Sequence, residues 1–452
     1  MLKHNLNEEI KRLANVCRST PKFTEEQYKS NQVKRGLRDV DGTGVVTGLT
    51  DISDVIAKKV IDGVKVPCAG ELYYRGINVE ELIKNYDDTL HSGFEEATYL
   101  LLFNKLPTRQ ELLEFKDLLS SFRKLPRNFV RDVIMKAPNG DIMNSLARGI
   151  LAFYSYDHNA LDGSIDNVLR QCLSLIAVTP LFAVYAYNAH MHYNENKSLI
   201  IHRHKPELST AENILYMLRP DCEYTELEAK VLDIAFILHA EHGGGNNSTF
   251  TTHVVTSAGT DTYSTITAAL CSLKGPKHGG ANIKVMDMFA DIKKHVHDWT
   301  DREKLTEHLT KILAGEAFDG AGLIYGMGHA VYSISDPRAQ VFKSFVKQLA
   351  KEKGRMKEFH LYETVEELSQ KLICQKRRIV KGVSANVDFY SGFVYNMLGL
   401  PVELYTPMFA VARMAGWSAH RMEELLNAGK IIRPAYVSTN GRNPYIPMDE
   451  RK

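Results

Sequence analysis

Residues 225–245 read TELEAKVLDIAFILHAEHGGG. Glu226, Leu227, Val231, Ile234 and Ile237 recur at helical spacing, which predicts a long amphipathic helix from Thr225 to Leu238. The glycine run Gly243–Gly245 is its natural stop. The same pattern extends outward in both directions. Thr108 and Glu111 form a capping box ahead of Leu112, Phe115, Leu118 and Leu119. Phe94–Leu102, Thr262–Lys274, Asp301–Ala314, Asp336–Glu352 and Thr364–Gln375 also read as helices. Cys172–Tyr187 is uncharged and apolar but contains Pro180, and at about 16 residues it is short for a membrane span, so it reads as a buried helix. Strand-like runs are confined to Val45–Val55 and Val60–Tyr74, a small sheet or hairpin. The basic stretch Asn194–Pro206 reads as an exposed loop. The expected fold class is therefore mainly α, with a little β near the N-terminus.

Composition bounds the function. The chain has 452 residues, 44% of them apolar and 24% charged, which excludes a disordered or fibrous chain. A net charge of +2 argues against nucleic acid as a partner. The six cysteines are scattered without a CxxC, as expected for free thiols in a reducing compartment. The first 20 residues lack an apolar core of the secretory type. The expected setting is soluble and cytoplasmic, with no membrane partner.

Four loop segments gather histidine, glycine and charged residues, and catalytic groups favour such loops. In the first, His239 and His242 lie three apart at a helix end. They are open to a metal reading, to a plain interaction with the negative end of the helix dipole, or to a substrate-binding role. In the second, Gly275-Pro-Lys-His278-Gly-Gly-Ala-Asn282, His278 sits in a turn before a helix. The positive dipole end there favours a neutral ring that donates a hydrogen bond, and two glycines would let a ligand approach the backbone. A turn with a satisfied, buried histidine is the plain alternative. In the third, Gly326-Met-Gly328-His329 precedes Asp336-Pro337-Arg338. Asp336 and Pro337 read as N-cap and first residue of a helix. Arg338 in that first turn calls for an anion, or else makes a surface salt bridge. In the fourth, Asp388 lies among aromatics before the helical run Phe393–Leu398. Burial there would raise its basicity, although caps also favour Asp and Ser. Arg413 stands in the apolar helix around Met408–Trp417, where a charge is costly unless paired. Arg433 precedes Pro434. Lys376–Arg378 is either a solvated face or a phosphate contact.

In this order the segments resemble the citrate synthases, and most closely the bacterial citrate and 2-methylcitrate synthase branch. AEHGGGNNSTFTTHVVTSAGTDTYSTITAALCSLKGPKHGGAN (240–282), GMGHAVYSISDPRA (326–339), ANVDFYSG (385–392), FAVARMAGW (409–417) and IIRP (431–434) carry the resemblance. YYRGINVEEL (73–82) and FEEATYLLLFNKLP (94–107) extend it over residues 48–440, leaving the first 45 or so unexplained. The resemblance implies a two-domain helical fold: 1–280 with 388–452 as a large domain, and 281–387 as a small domain that closes over the site. It implies a Claisen condensation of acetyl-CoA with oxaloacetate, then hydrolysis of citryl-CoA. Asp388 would be the base, His278 would stabilise the enol or enolate, and His329 would polarise the ketone. His242, Arg338, Arg413 and Arg433 would bind the dicarboxylate, with Asn246, Ser248 and Phe409 at pocket positions. Gly326, Gly328, Ala330, Lys376 and Arg377 are the implied CoA contacts. No metal or other cofactor is implied. The family's partner-subunit arginine falls on Arg433, which implies a homodimer. Two positions depart from the pattern: Tyr325 stands where proline is frequent, and Ser333 stands where a basic residue can meet CoA phosphate. The alternatives are 2-methylcitrate synthesis from propionyl-CoA, a metal-dependent hydrolase using His239 and His242, and a helical scaffold.

Overall fold

The computed structural model describes residues 6–39, 43–329, 331–377, 382–427 and 429–451. Seventeen α-helices and one small sheet are found among them. The order is α1 (Leu6–Arg18), α2 (Glu25–Ser30), β1 (Ser53–Ile61), β2 (Val64–Tyr74), β3 (Ile77–Asn78), α3 (Val79–Lys84), α4 (Gly93–Phe103), α5 (Arg109–Phe122), α6 (Ile142–Phe153) and α7 (Ile165–Glu195). Then come α8 (Thr210–Leu218), α9 (Glu226–Ala240), α10 (Asn247–Ser257), α11 (Thr262–Lys274), α12 (Ala281–His295), α13 (Arg302–Ala314), α14 (Pro337–Glu352), α15 (Met356–Arg377), α16 (Val387–Met397) and α17 (Tyr405–Leu426). The mainly helical class is as expected. Residues 50–432 form one compact unit, and the two ends, 1–49 and 433–452, form another.

Local chemistry sets the helix starts. Thr225 and Glu228 make a capping box at α9, and Thr108 and Glu111 make one at α5. Two features of α9 differ from the expectation. The helix is not amphipathic in the structure: all but one of the residues from Glu228 to Ala240 are buried, because α4, α8, α14 and α17 pack around it. Nor does the glycine run end it. The helix stops at Ala240, and Glu241 is already extended, at φ −151 and ψ 152. Within α9, Asp233 accepts hydrogen bonds from the N–H groups of Gly93 (2.8 Å) and Phe94 (3.2 Å), capping α4 from a distant part of the chain.

The apolar run around Pro180 lies inside α7, a 31-residue helix that is long and apolar enough to cross a membrane; it is sheathed by protein instead. β1 and β2 form an antiparallel hairpin closed by Asp62 and Gly63, both at positive φ. Aspartate–glycine suits that left-handed turn. The expected strand at Val45–Val55 begins only at Ser53, and residues 46–50 carry no regular structure. α15 begins at Met356, eight residues before the expected start at Thr364. Asn196–Pro206 is a loop, as read from its polarity.

Candidate active site

The extended backbone after α9 is held from below by β2. Tyr74 is fully buried and donates its hydroxyl to the carbonyls of Ile237 (2.8 Å) and Glu241 (3.0 Å). Ser53 on β1 donates to Glu241 Oε1 at 3.0 Å and accepts from the Gly243 N–H at 3.1 Å. This pinning presents His242 to the loop that carries His329. The two imidazole rings meet edge to face at 5.1 Å, and Tyr332 lies 5.5 Å from His242 and 4.9 Å from His329. The Tyr332 hydroxyl is 3.3 Å from His242 Nε2.

The tautomer of His329 is set by its own loop. Its Nδ1 accepts hydrogen bonds from the N–H groups of Val331 (3.0 Å) and Tyr332 (3.2 Å), so the ring proton sits on Nε2. That loop is stitched to the segment before α16. Gly328 N–H donates to Ser384 O at 2.7 Å, Asn386 N–H to Gly326 O at 2.9 Å, and Asn386 Nδ2 to Gly328 O at 3.0 Å. Asn386 is also the N-cap of α16, its side chain accepting from Asp388 N–H at 3.0 Å. One asparagine thus fixes the His329 loop against the Asp388 turn. Asp388 is in the first turn of α16 rather than at its cap, because Asn386 takes the cap and the helix starts well before Phe393.

Among the described residues the Asp388 carboxylate accepts no side-chain or backbone hydrogen bond. Burial raises it from the ordinary carboxylate range to about 6, against the opposing charges of Arg338 and Arg413. His278 moves the other way. Burial, with the nearby charge of Arg413, lowers it to about 4, so the ring is neutral at pH 7. Its Nε2 lies 3.1 Å from Ser248 Oγ, which also accepts the Trp417 indole N–H at 3.1 Å. Burial, rather than the dipole of α12, is the first cause of His278 neutrality. The glycine after it is closely packed against the protein itself. A Cβ at Gly279 would lie 2.4 Å from Leu273 O and 2.9 Å from Thr406 Cγ2.

Arg338 is buried, and its partner is Asp336, fully buried beside it. Nε and Nη2 reach the two Asp336 oxygens at 3.1 and 2.8 Å. The surface-salt-bridge alternative is thereby corrected, while Asp336 still caps α14 as read. Arg413 is 1% exposed; its Nε donates to His239 O at 2.7 Å and its guanidinium lies 4.8 Å from the Phe409 ring centre. Among the described residues it makes no ion pair within 4.0 Å, although the charges of Glu241 and Asp388 act on it. Its charge reaches His242, His278, Arg338 and Asp388 alike.

The remaining residues divide. Asn246 caps α10, its amide donating to Gly243 O at 2.6 Å and to Thr249 Oγ1 at 2.8 Å. Phe409 packs on His239, with ring centres 4.5 Å apart. Neither His239 nor His242 joins a third ligand-type side chain among the described residues, which removes the geometric basis of the hydrolase alternative. Arg433 is exposed and belongs to the unit of the chain ends. Lys376 Nζ donates to Leu313 O. Ala330, the side chain of Arg377, and Arg378 lie outside the described residues. Sequence reading missed Tyr74, Tyr332, Glu241 and the ion-pairing role of Asp336. A tyrosine three residues after His329 and an acid between two histidines were the available signals.

Gly326, at φ +75, lets the loop lie against α16: a Cβ would sit 2.8 Å from Val285 Cγ2 and 2.9 Å from Phe389 Cα. Gly326→Ala is expected to cost about 1–3 kcal/mol through overpacking, read as a lower urea midpoint with an unchanged slope.

Similarity to known proteins runs along most of the chain. The family described as "Citrate synthase, C-terminal domain" matches residues 39–435. A citrate synthase of Synechocystis sp. is 36% identical over 385 residues, covering 84% of this chain and 88% of that protein. 2-Methylcitrate synthase 1 of Corynebacterium glutamicum is 32% identical, over 93% of this chain and 99% of its own. Among solved structures, a ternary complex of carboxymethyl coenzyme A and oxaloacetate with citrate synthase from Thermoplasma acidophilum superposes with a TM-score of 0.75. It is 28% identical and covers 93% of this chain and 99% of that one. Joined to the helical fold and the clustered histidines, arginines and aspartate, these matches place the chain in the citrate synthase family, as an acyltransferase of that type.

Proposed function

We propose that the chain condenses acetyl-CoA with oxaloacetate and hydrolyses the resulting citryl-CoA to citrate and CoA. The carrying observation is an aspartate whose carboxylate accepts no hydrogen bond among the described residues, raised to about 6, in the same cluster as a histidine lowered to about 4. A thioester methyl is a weak acid. Its deprotonation needs a base of moderate strength and a donor for the oxygen that becomes negative, acting together. Asp388 takes the methyl proton. His278 donates a ring N–H to the thioester oxygen. The enol carbon then attacks the ketone carbon of oxaloacetate, whose oxygen receives the His329 Nε2–H. Arg338, Arg413 and His242 hold the dicarboxylate, Arg413 supplying a buried charge with no ion pair among the described residues. Water then cleaves the thioester. The donors for the developing charges are imidazoles, so this route uses no metal or other cofactor.

In this reading, residues 281–387 close as a small domain over 1–280 with 388–452, excluding water until the new bond is formed. Gly326, Gly328, Ala330, Lys376 and Arg377 are the CoA contacts this reading assigns. The working form is a soluble, cytoplasmic homodimer in which Arg433 completes the partner subunit's site. Exposed aromatics support a second copy: Tyr436 is 96% and Tyr445 82% exposed in the single chain.

Thiol release measured with oxaloacetate and, separately, acetyl-CoA or propionyl-CoA tests the assignment. Faster kcat/KM with propionyl-CoA replaces it by 2-methylcitrate synthesis. That second reading is carried by the 2-methylcitrate synthase among the relatives, and one methylene is worth only about 1–3 kcal/mol in a pocket. No thiol release with either acyl-CoA overturns both. A pH series adds a second check. Asp388 acts ionised, so kcat/KM is expected to rise with pH through about 6 and then level off. His278, at about 4, stays neutral across that limb and adds no step of its own.

A further inference from the structure

Outside the catalytic set, two histidines and three carboxylates converge where α10, α17 and the end of α9 meet. His253 Nδ1 lies 2.8 Å from Glu424 Oε2, and His420 Nε2 lies 3.1 Å from Glu241 Oε1. Glu424 draws the His253 ring proton to Nδ1, whereas His420 Nε2 is buried beside Glu241 without a hydrogen bond. His253 Nε2 is then left with a lone pair, which faces His420 Nδ1 across 3.1 Å. Glu423 completes the ring of donors. Its Oε1 accepts the Asp51 N–H at 2.8 Å, while its Oε2 is buried without a hydrogen bond, 3.6 Å from His420 Nδ1. The His420 side chain is fully buried and that of Glu423 is 10% exposed. A lone pair and an unpartnered carboxylate oxygen thus converge on His420 Nδ1, and a cation, a proton or a metal ion, is needed between them.

A proton is one such cation. One proton, however, balances only one of three carboxylates. The donor spacing suits a larger charge. Ligand atoms about 2.0–2.1 Å from a tetrahedral zinc stand about 3.3 Å apart, and the gaps here are 3.1 and 3.6 Å. His253 already has the outer carboxylate that metal-bound imidazoles use to fix their tautomer, and Glu241 Oε1 lies 3.1 Å from His420 Nε2. Imidazole with carboxylate is a ligand set suited to zinc among divalent ions. His253 and Glu424, at 13% and 16% side-chain exposure, leave a route from solvent.

We propose that the chain binds one zinc-class divalent transition-metal ion through His253 Nε2, His420 Nδ1 and Glu423 Oε2. The ion ties α10 to α17 and to the chain at Asp51. It is a structural site and takes no part in the condensation.

The full-length protein, stripped with EDTA, is titrated with Co2+ as a spectroscopic probe and with Zn2+ in melting experiments. The expected result is one Co2+ per chain with the visible bands of a four-coordinate site, lost on adding Zn2+, and a Zn2+-dependent rise in Tm. His253→Ala is expected to lose both signals. Glu424→Gln keeps all three ligands and is expected to weaken binding by about 10–100-fold; it decides the matter if His253→Ala does not fold. Thiol release in EDTA is expected to match wild type in both variants. No bands and no Tm rise in the wild-type chain would show that a proton alone fills the gap, overturning the proposal. Equal binding by wild type and both variants would place the metal on other histidines and overturn it as well.

Discussion

Asp388→Ala is expected to lower kcat for thiol release by about 10²–10⁴-fold while leaving the melting temperature near that of the wild-type chain. The asymmetry follows from what the carboxylate touches. No described group donates to it, so its removal leaves no donor unsatisfied, and Asn386 still caps α16. Burial already makes its charged form unfavourable, which is why it is raised to about 6. Alanine removes that cost, and Arg338 keeps its fork with Asp336. The linkage has a definite sign. A carboxyl raised in the folded state stabilises the fold when protonated, and that contribution is lost as pH rises through about 6. The variant is therefore expected to gain stability relative to wild type above that pH, and not below the ordinary carboxylate range. Turnover like wild type in Asp388→Ala would remove the proposed base. A collapse of stability without a specific loss of rate would make Asp388 a structural residue.

What the sequence disclosed divides by distance along the chain. The starts of α5 and α9 were legible because a capping box is made by residues three apart. α14 was legible from Asp336 and Pro337 as its N-cap and first residue, and α11 was read as the helical run Thr262–Lys274. α10 was not. Its sequence NSTFTTHVVTS is rich in β-branched and hydroxyl residues that favour other backbone states. It is helical because Thr249, Thr252 and Thr256 are buried against neighbours and Thr252 bonds back to Ser248 O at 3.1 Å. The site shows the same division. His278, His329, Asp388, Arg338 and Arg413 stand in loops or apolar contexts that mark them locally. Tyr74 holds Glu241 across 167 positions, and Tyr332 reaches His242 across 90. No local pattern announces contacts that only the packed fold creates.

Arg338→Leu separates two roles that one side chain combines. Nε and Nη2 are committed to Asp336, so the outward part of the fork is what the proposed dicarboxylate would meet. Loss of one or two charge-assisted hydrogen bonds, at about 1.5–3 kcal/mol each, predicts a rise of about 10–100-fold or more in KM for oxaloacetate. Stability falls as well. Asp336 is 0% exposed, and breaking a buried ion pair from one side costs about 3–5 kcal/mol, because the remaining carboxylate is stranded. The backbone N–H of residue 338, 3.0 Å from Asp336 Oδ1, offsets only part of that. The double variant Asp336→Asn with Arg338→Leu removes the stranded charge. It is expected to recover much of the lost urea midpoint while KM stays high. Recovery of KM along with stability would mean that Arg338 acts on the substrate only by keeping α14 in place. Persistence of the KM defect in a stable double variant assigns the outward face of the fork to the substrate carboxylate, and the inward face to Asp336.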